Sequence, residues 1–181
     1  LQYTYSIAKN NSEYPWANVS GQYVDAPSQE SLQFYDRPHD ITFWFYTGLP
    51  FGIKAAVTAF YQSGGPYTPL IFAGKDPQID AKNPNSKRGP AYRNANLNFS
   101  KYVKIMDHKI SLGLSVYNLI DIRNEIDVYP LTGKAGDPGA YYTEDVGLAD
   151  SEHYLSSAYY DRPWRFSQPR EINFNVRFDF D

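Results

Sequence analysis

The chain has 181 residues with 17 tyrosines, 13 prolines, 12 glycines, no cysteine, and a formal charge of −3 with both signs interspersed. The missing thiols exclude a disulfide framework, structural thiolate zinc and a cysteine nucleophile; with no basic field to attract a phosphate backbone, no nucleic-acid partner is expected. The longest apolar run, Ile41 to Tyr46 with Thr42 inside it, falls far short of the roughly twenty residues a membrane helix needs, so a membrane could be crossed only as a barrel.

The chain opens in a strand. Leu1, Tyr3, Tyr5 and Ile7 alternate with Gln2, Thr4, Ser6 and Ala8, the period of two that marks a half-buried strand. With neither an initiator Met nor a signal pattern ahead of it, the chain reads as the C-terminal part of something longer. A second strand is predicted from about His39 to Leu49, with Ile41, Phe43, Phe45 and Leu49 against Asp40, Thr42, Trp44 and Tyr46. The third, Ile53 to Gln62, alternates more loosely. The fourth, Tyr92 to Tyr102, sets Ala95, Leu97 and Phe99 against Asn94, Asn96, Asn98 and Ser100, and the fifth, Lys109 to Leu119, sets Ile110, Leu112, Leu114 and Val116 against Ser111, Gly113, Ser115 and Tyr117. The sixth, Arg170 to Asp181, has Ile172, Phe174, Val176, Phe178 and Phe180 on one side and Asn173, Asn175, Arg177 and Asp179 on the other.

Connections between these strands alternate in length. Leu49-Pro-Phe-Gly52 is a tight turn, and Val103 to His108 is short; Lys9 to Pro38, Ser63 to Ala91 and Ile120 to Pro169 are long. Short turns at one end and long loops at the other are the habit of outer-membrane barrels. The expected fold is therefore all-β, an antiparallel up-and-down meander of about six strands forming part of a larger transmembrane β-barrel. Bacterial barrels begin at about eight strands, so the first and last strands need partners beyond these six. A passive outer-membrane pore or adhesin, and a soluble aromatic-rich carbohydrate-binding β domain, stand as alternatives.

Specific segments point further. Lys87-Arg-Gly-Pro-Ala-Tyr-Arg-Asn-Ala-Asn-Leu-Asn-Phe-Ser-Lys101, Ile110-Ser-Leu-Gly-Leu-Ser-Val-Tyr-Asn-Leu-Ile-Asp-Ile-Arg-Asn124, Val128-Tyr-Pro-Leu-Thr-Gly133 and Tyr35-Asp-Arg-Pro-His-Asp-Ile-Thr-Phe43 together resemble the C-terminal barrel strands of TonB-dependent outer-membrane receptors. The resemblance implies a barrel of about 22 strands, with residues 1–181 as its C-terminal segment and the plug domain and earlier strands outside this chain. It also implies TonB-dependent active transport of a scarce ligand, whether siderophore, cobalamin, glycan or peptide. The implied partners are outer-membrane lipid, the missing plug and barrel strands, the TonB protein through that missing part, and the barrel-assembly machinery through the C-terminal strand. The C-terminus would be periplasmic and the long loops extracellular. One departure is that Asp181 follows the terminal aromatic Phe180, where the family usually ends on the aromatic residue.

No catalytic constellation is visible, and no enzyme activity, cofactor or metal is expected. His39, His108 and His153 stand apart from one another in the sequence. Glu144, Asp145, Asp150, Glu152 and His153 offer oxygen ligands to calcium but lack the spacing and glycine of an EF-hand, so a solvated acidic loop is the plainer reading. Aromatic residues of the long loops supply contact area at low entropy cost, which makes Trp16, Tyr67, Tyr141, Tyr142, Tyr159, Tyr160 and Trp164 the candidate ligand contacts; packing of the loops on themselves would use the same residues. Tyr35, Tyr61, Tyr92 and Tyr117, near strand ends, read as a membrane-interface girdle, and Arg93 and Arg177 as lumenal or nearly so.

Overall fold

The computed structural model describes residues 1–10, 30–105, 108–145 and 160–179. Its strands in chain order are β1 (Gln2–Tyr5), β2 (Lys9–Asn10), β3 (Ser31–Leu32), β4 (His39–Leu49), β5 (Ile53–Gln62), β6 (Pro66–Tyr67), β7 (Leu70–Ala73), β8 (Asp76–Ile79), β9 (Lys87–Arg88), β10 (Tyr92–Ile105), β11 (His108–Tyr117) and β12 (Glu171–Asp179). Six of them make one antiparallel sheet in the order β1-β4-β5-β10-β11-β12. The fold is all-β, and the main sheet is the expected meander.

β4 and β5 occupy the expected residues from end to end, joined by a single 3-10 turn at Pro50–Gly52 in which Phe51 and Gly52 both take positive φ. The connection expected at Val103 to His108 is shorter than its sequence suggests. Val103-Lys104-Ile105 continues the alternation, β10 runs on to Ile105, and Ile105 pairs with His108. β11 stops at Tyr117 because the next residue, Asn118, has φ 51°. The long connections are also less irregular than expected. The first carries the two-stranded ribbon β2–β3 and the second the ribbons β6–β9 and β7–β8, while the third is drawn together by a single bridge between Glu125 and Phe166.

Register carries parity across the sheet. The row Ile41–Tyr61–Arg93 and the rows Phe43–Ala59–Ala95, Phe45–Val57–Leu97–Val116–Ile172 and Leu49–Ile53–Lys101–Leu112–Val176 lie on one face. The opposite face holds Asp40–Gln62–Tyr92, Trp44–Thr58–Asn96 and Tyr46–Ala56–Asn98–Ser115–Asn173. Successive strand residues point to opposite faces, so one face is apolar and the other mostly polar. This corrects three placements. Arg93 shares the apolar face with Tyr61, its guanidinium 5.9 Å from that ring's centre. Tyr92 and Tyr117 share the polar face with Gln62 and Glu171 and cannot belong to a lipid-facing girdle. Polarity suggested otherwise for Arg93, and nearness to a strand end for Tyr92 and Tyr117; the period of two decides.

Neither face is covered by a second layer among the described residues. Phe43, Phe45, Phe174 and Phe178 are 43, 53, 67 and 57% exposed. Burial is instead concentrated where the long connections meet the sheet, and much of it is polar: Asp36, Ser63, Asn85, Asn118 and Asn124 are all buried. Asn118 shows why. Its backbone N–H donates to Asn96 Oδ1, its Nδ2 donates to the carbonyls of Ile122 and Gln168, and its Oδ1 accepts from the Ile122 N–H. Asn124 imitates a strand partner, accepting from the Arg93 N–H at 2.8 Å and donating to the Arg93 carbonyl at 2.7 Å. Each buried polar group left unpaired costs about 1–3 kcal/mol. Asn118→Ala should therefore destabilise the base of the 120–169 connection more than Asn118→Gly does, since both lose the side-chain bonds and only Gly accepts the positive φ without strain. Limited proteolysis of that connection checks this: both variants should be cleaved faster than the parent, Ala fastest.

Candidate functional site

Three hollows line the polar face at the loop end and touch one another. The first, near β1 and β4, measures about 540 Å³ and is lined by Thr4, Ala8, Asp36, Arg37, Asp40 and Gln62 among others, with Gln62 Nε2 donating to Asp40 Oδ2 at 2.6 Å.

 The second shares Arg37 and Gln62 with the first, measures about 570 Å³, and is lined by Tyr67, Thr68, Asn85, Tyr92, Glu125 and Asp127 among others. The third shares Tyr92 and Ile126 with the second, measures about 510 Å³, and runs past Asn94, Asn96, Tyr117 and Glu171. All the strand residues named here lie on the polar face, so the hollows form one shelf along it.

The shelf is anchored by a knot of charges. Asp36, 1% exposed, accepts from the Ala8 N–H and from the Arg88 guanidinium. Arg88 also donates to the carbonyls of Asp36 and Gly64, both at 3.2 Å. Arg37 donates to the Asp36 carbonyl at 3.3 Å and packs on Gly65, where a Cβ would lie 2.1 Å from its Nη1. Close approach needs glycine at the neighbouring position too, because a Cβ on Gly64 would lie 1.7 Å from the Gly89 carbonyl oxygen. Burial alone would raise the Asp36 carboxyl; the hydrogen bonds from Ala8 and Arg88, with the charges of Arg88 and Arg37, outweigh it and hold the group below its ordinary value. Burial, followed by the Arg88 charge, lowers Arg37, with Asp36 opposing. One carboxylate against two guanidiniums leaves the knot with a positive excess beside the first two hollows.

Among the aromatic candidates, Tyr67 lines the second hollow, and burial raises its phenol above the ordinary value. Tyr141 donates to Asp76 Oδ1 at 2.8 Å and meets Phe72 and Tyr142 edge-on. Tyr160 is buried, donates to the Tyr142 carbonyl at 3.1 Å, and accepts at its own carbonyl from Tyr129. Tyr141 thus joins its connection to the 63–91 one, while Tyr142 and Tyr160 pack within their own. Trp164 is 66% exposed, with Arg162 5.3 Å from its ring centre. Trp16 and Tyr159 lie outside the described residues, as do Asp150, Glu152 and His153 of the acidic cluster; among the described residues no group of three or more His, Asp or Glu is placed to hold a metal ion. The residues that sequence reasoning missed as site residues, Asp36, Arg37 and Arg88, stand inside two of the segments quoted above for their resemblance, and the structure brings those segments together. Hydroxyl, amide, carboxylate and guanidinium groups around an open hollow suit a polar ligand held by hydrogen bonds.

Comparison of the chain with protein-family models, curated proteins and solved structures finds no match.

Two outcomes follow from the knot. A carboxyl held below its unfolded value near 3.8 contributes stability that is present above that value and lost as pH falls through the lower folded value. Hydrogen exchange of peptides spanning 1–10 and 85–92 should stay slow down to about pH 4 and accelerate below it, and Asp36→Asn should abolish that step while exchanging faster at neutral pH. Gly64→Ala forces backbone apart and should destabilise by about 1–3 kcal/mol or more, whereas Gly48→Ala, which meets nothing within 4 Å, should leave the thermal midpoint nearly unchanged.

Proposed function

We propose that the chain forms part of the wall of a transmembrane β-barrel in the bacterial outer membrane, and that the barrel belongs to a TonB-dependent receptor importing a scarce ligand. The observation that carries the barrel reading is a six-stranded meander with one apolar face left uncovered, one polar face, and every long connection at the same end. Hydrocarbon would cover Phe43, Phe45, Phe174 and Phe178; a soluble module would leave them in water, beyond the apolar patches that monomeric soluble proteins ordinarily expose. The polar face would line the lumen against a plug domain, and the outer edges of β1 and β12 would pair with further strands, since hydrocarbon does not tolerate open edges. The long connections would face the exterior and the short turns the periplasm. The receptor assignment is supported by the resemblance of the segments at 35–43, 87–101, 110–124 and 128–133, and the polar shelf is where a ligand admitted between the loops would meet this wall.

The test uses the full-length protein in its native host. It should fractionate with the outer membrane, change electrophoretic mobility on heating, and take up its ligand only while TonB and the proton gradient are intact. Uptake independent of TonB would replace the receptor by a passive pore; a protein that folds as a monomer without detergent would overturn the barrel. Within the wall, Leu97→Arg should destabilise insertion into vesicles by about 2–4 kcal/mol, and Asn96→Arg, on the opposite face, by much less.

A further inference from the structure

Parity sorts charge on the main sheet as well as polarity. Among the described residues, the apolar face from β1 to β12 carries two lysine or arginine side chains, Arg93 and Lys101, and no Asp or Glu; Asp40, Glu171, Lys54, Lys104, Lys109 and Arg177 all lie on the other face. Both cations stand on β10, with Ala95, Leu97 and Phe99 between them on the same face. Eight residues span roughly 26 Å along a strand, and at a barrel tilt of about 40° that is roughly 20 Å of height, to which two snorkelling side chains add several ångströms. The pair therefore brackets a band close to the thickness of an outer-membrane hydrocarbon layer.

The neighbours of each cation suit a membrane boundary. Arg93 sits beside Tyr61, in the row of Ile41, and just beyond lie Tyr3, Tyr5 and His39, with the Tyr3 hydroxyl 2.9 Å from His39 Nδ1. Lys101 is flanked by Ile53 and Leu112 and lines an apolar groove of about 340 Å³ that also includes Leu49, Phe99, Leu114 and Phe174. Neither cation has an acidic partner among the described residues, and the same-face strand neighbours that flank them are apolar or aromatic. A cation facing hydrocarbon is destabilising at mid-bilayer and nearly neutral at the interface, where phosphates offer opposite charge and strong acceptors.

We propose that Arg93 and Lys101 bind lipid phosphates, one in each leaflet, and set the depth of this wall in the bilayer. The groove beside Lys101 would take an acyl chain of the lipid whose phosphate the ammonium holds. This rests on the membrane-wall reading above, and the test separates the two. The full-length protein is folded into vesicles of phosphatidylglycerol and, in parallel, of the phosphate-free bilayer lipid digalactosyldiacylglycerol, and the temperature at which the compact, heat-modifiable form is lost is measured in each. The parent should survive to a higher temperature in the phosphate lipid, Arg93→Gln/Lys101→Gln should lose most of that margin, and Arg93→Lys/Lys101→Arg should keep most of it. If the double glutamine variant does not fold, Arg93→Gln and Lys101→Gln alone carry the comparison, each losing part of the margin. An equal margin in parent and glutamine variants overturns the proposal while leaving the wall intact, and restoration of the margin in galactolipid vesicles by inorganic phosphate overturns lipid as its source. Failure of the parent to insert into either vesicle overturns the membrane wall itself.

Discussion

The molecule depends on one constraint: six strands must pair so that parity is conserved from β1 to β12. A slip of one residue between any two strands would turn every side chain beyond it to the wrong face. Tight turns fix two of the five junctions, with Leu49 opposite Ile53 and Ile105 opposite His108. The other three are bridged by long connections that cannot set a register by their length. Each is held by polar groups at its base. Asp36 takes the Ala8 N–H and Ser6 donates to the Pro38 carbonyl, holding β1 on β4. Arg88 reaches the Gly64 carbonyl and the Gly89 N–H donates to Gly65, holding β5 on β10. Asn118 reaches Gln168, and Asp121 accepts from the Arg170 N–H, holding β11 on β12.

These clamps explain why burial is inverted relative to an ordinary domain. Most apolar side chains of the sheet lie on an open face, and alongside Ala135 the most enclosed side chains include a carboxylate and three asparagines. Such groups are tolerable in a protected site because nearly all their hydrogen-bonding capacity is used, and a satisfied polar network is directional where an apolar cluster is not. Direction matters here, since the clamps must choose between registers that differ by a single residue. The same rigidity keeps the shelf of hollows in place beneath the connections.

Much of the sheet was legible in the sequence, because a period of two needs only local side-chain pattern. β4 and β5 were read to the residue. β10 was cut short at Tyr102, with Val103 to His108 read as the connection, although Val103 and Ile105 kept the parity. Arg93, Tyr92 and Tyr117 were misplaced when polarity or proximity to a strand end was weighed above parity. The clamps were not legible: Ala8 and Asp36, Asp36 and Arg88, and Asn118 and Gln168 are 28, 52 and 50 residues apart, and no local pattern announces such a pair. The aromatic loop residues were ambiguous in principle, since a ring that packs on another loop and one that meets a ligand have the same composition. Geometry separates Tyr67, which lines a hollow, from Tyr141, Tyr142 and Tyr160, which spend their hydroxyls, carbonyls or ring edges on one another and on nearby loop residues.

A sheet one residue thick has no interior, so its two faces differ in polarity through alternate residues of the same strands. On β10, Asn94, Asn96 and Asn98 look toward the shelf while Ala95, Leu97 and Phe99 look away from it. Substitutions one position apart therefore fall on unrelated physics: hydrogen bonding around the hollows on one side, apolar contact beside Arg93 and Lys101 on the other. The two sides are coupled only through the backbone ladder, and that ladder is positioned by the clamps at the loop end. A change at Asp36 or Asn118 thus reaches both faces at once, whereas a change on either face of β10 stays on its own side. That asymmetry makes the loop bases, rather than the exposed rows, the part of the sheet least able to vary.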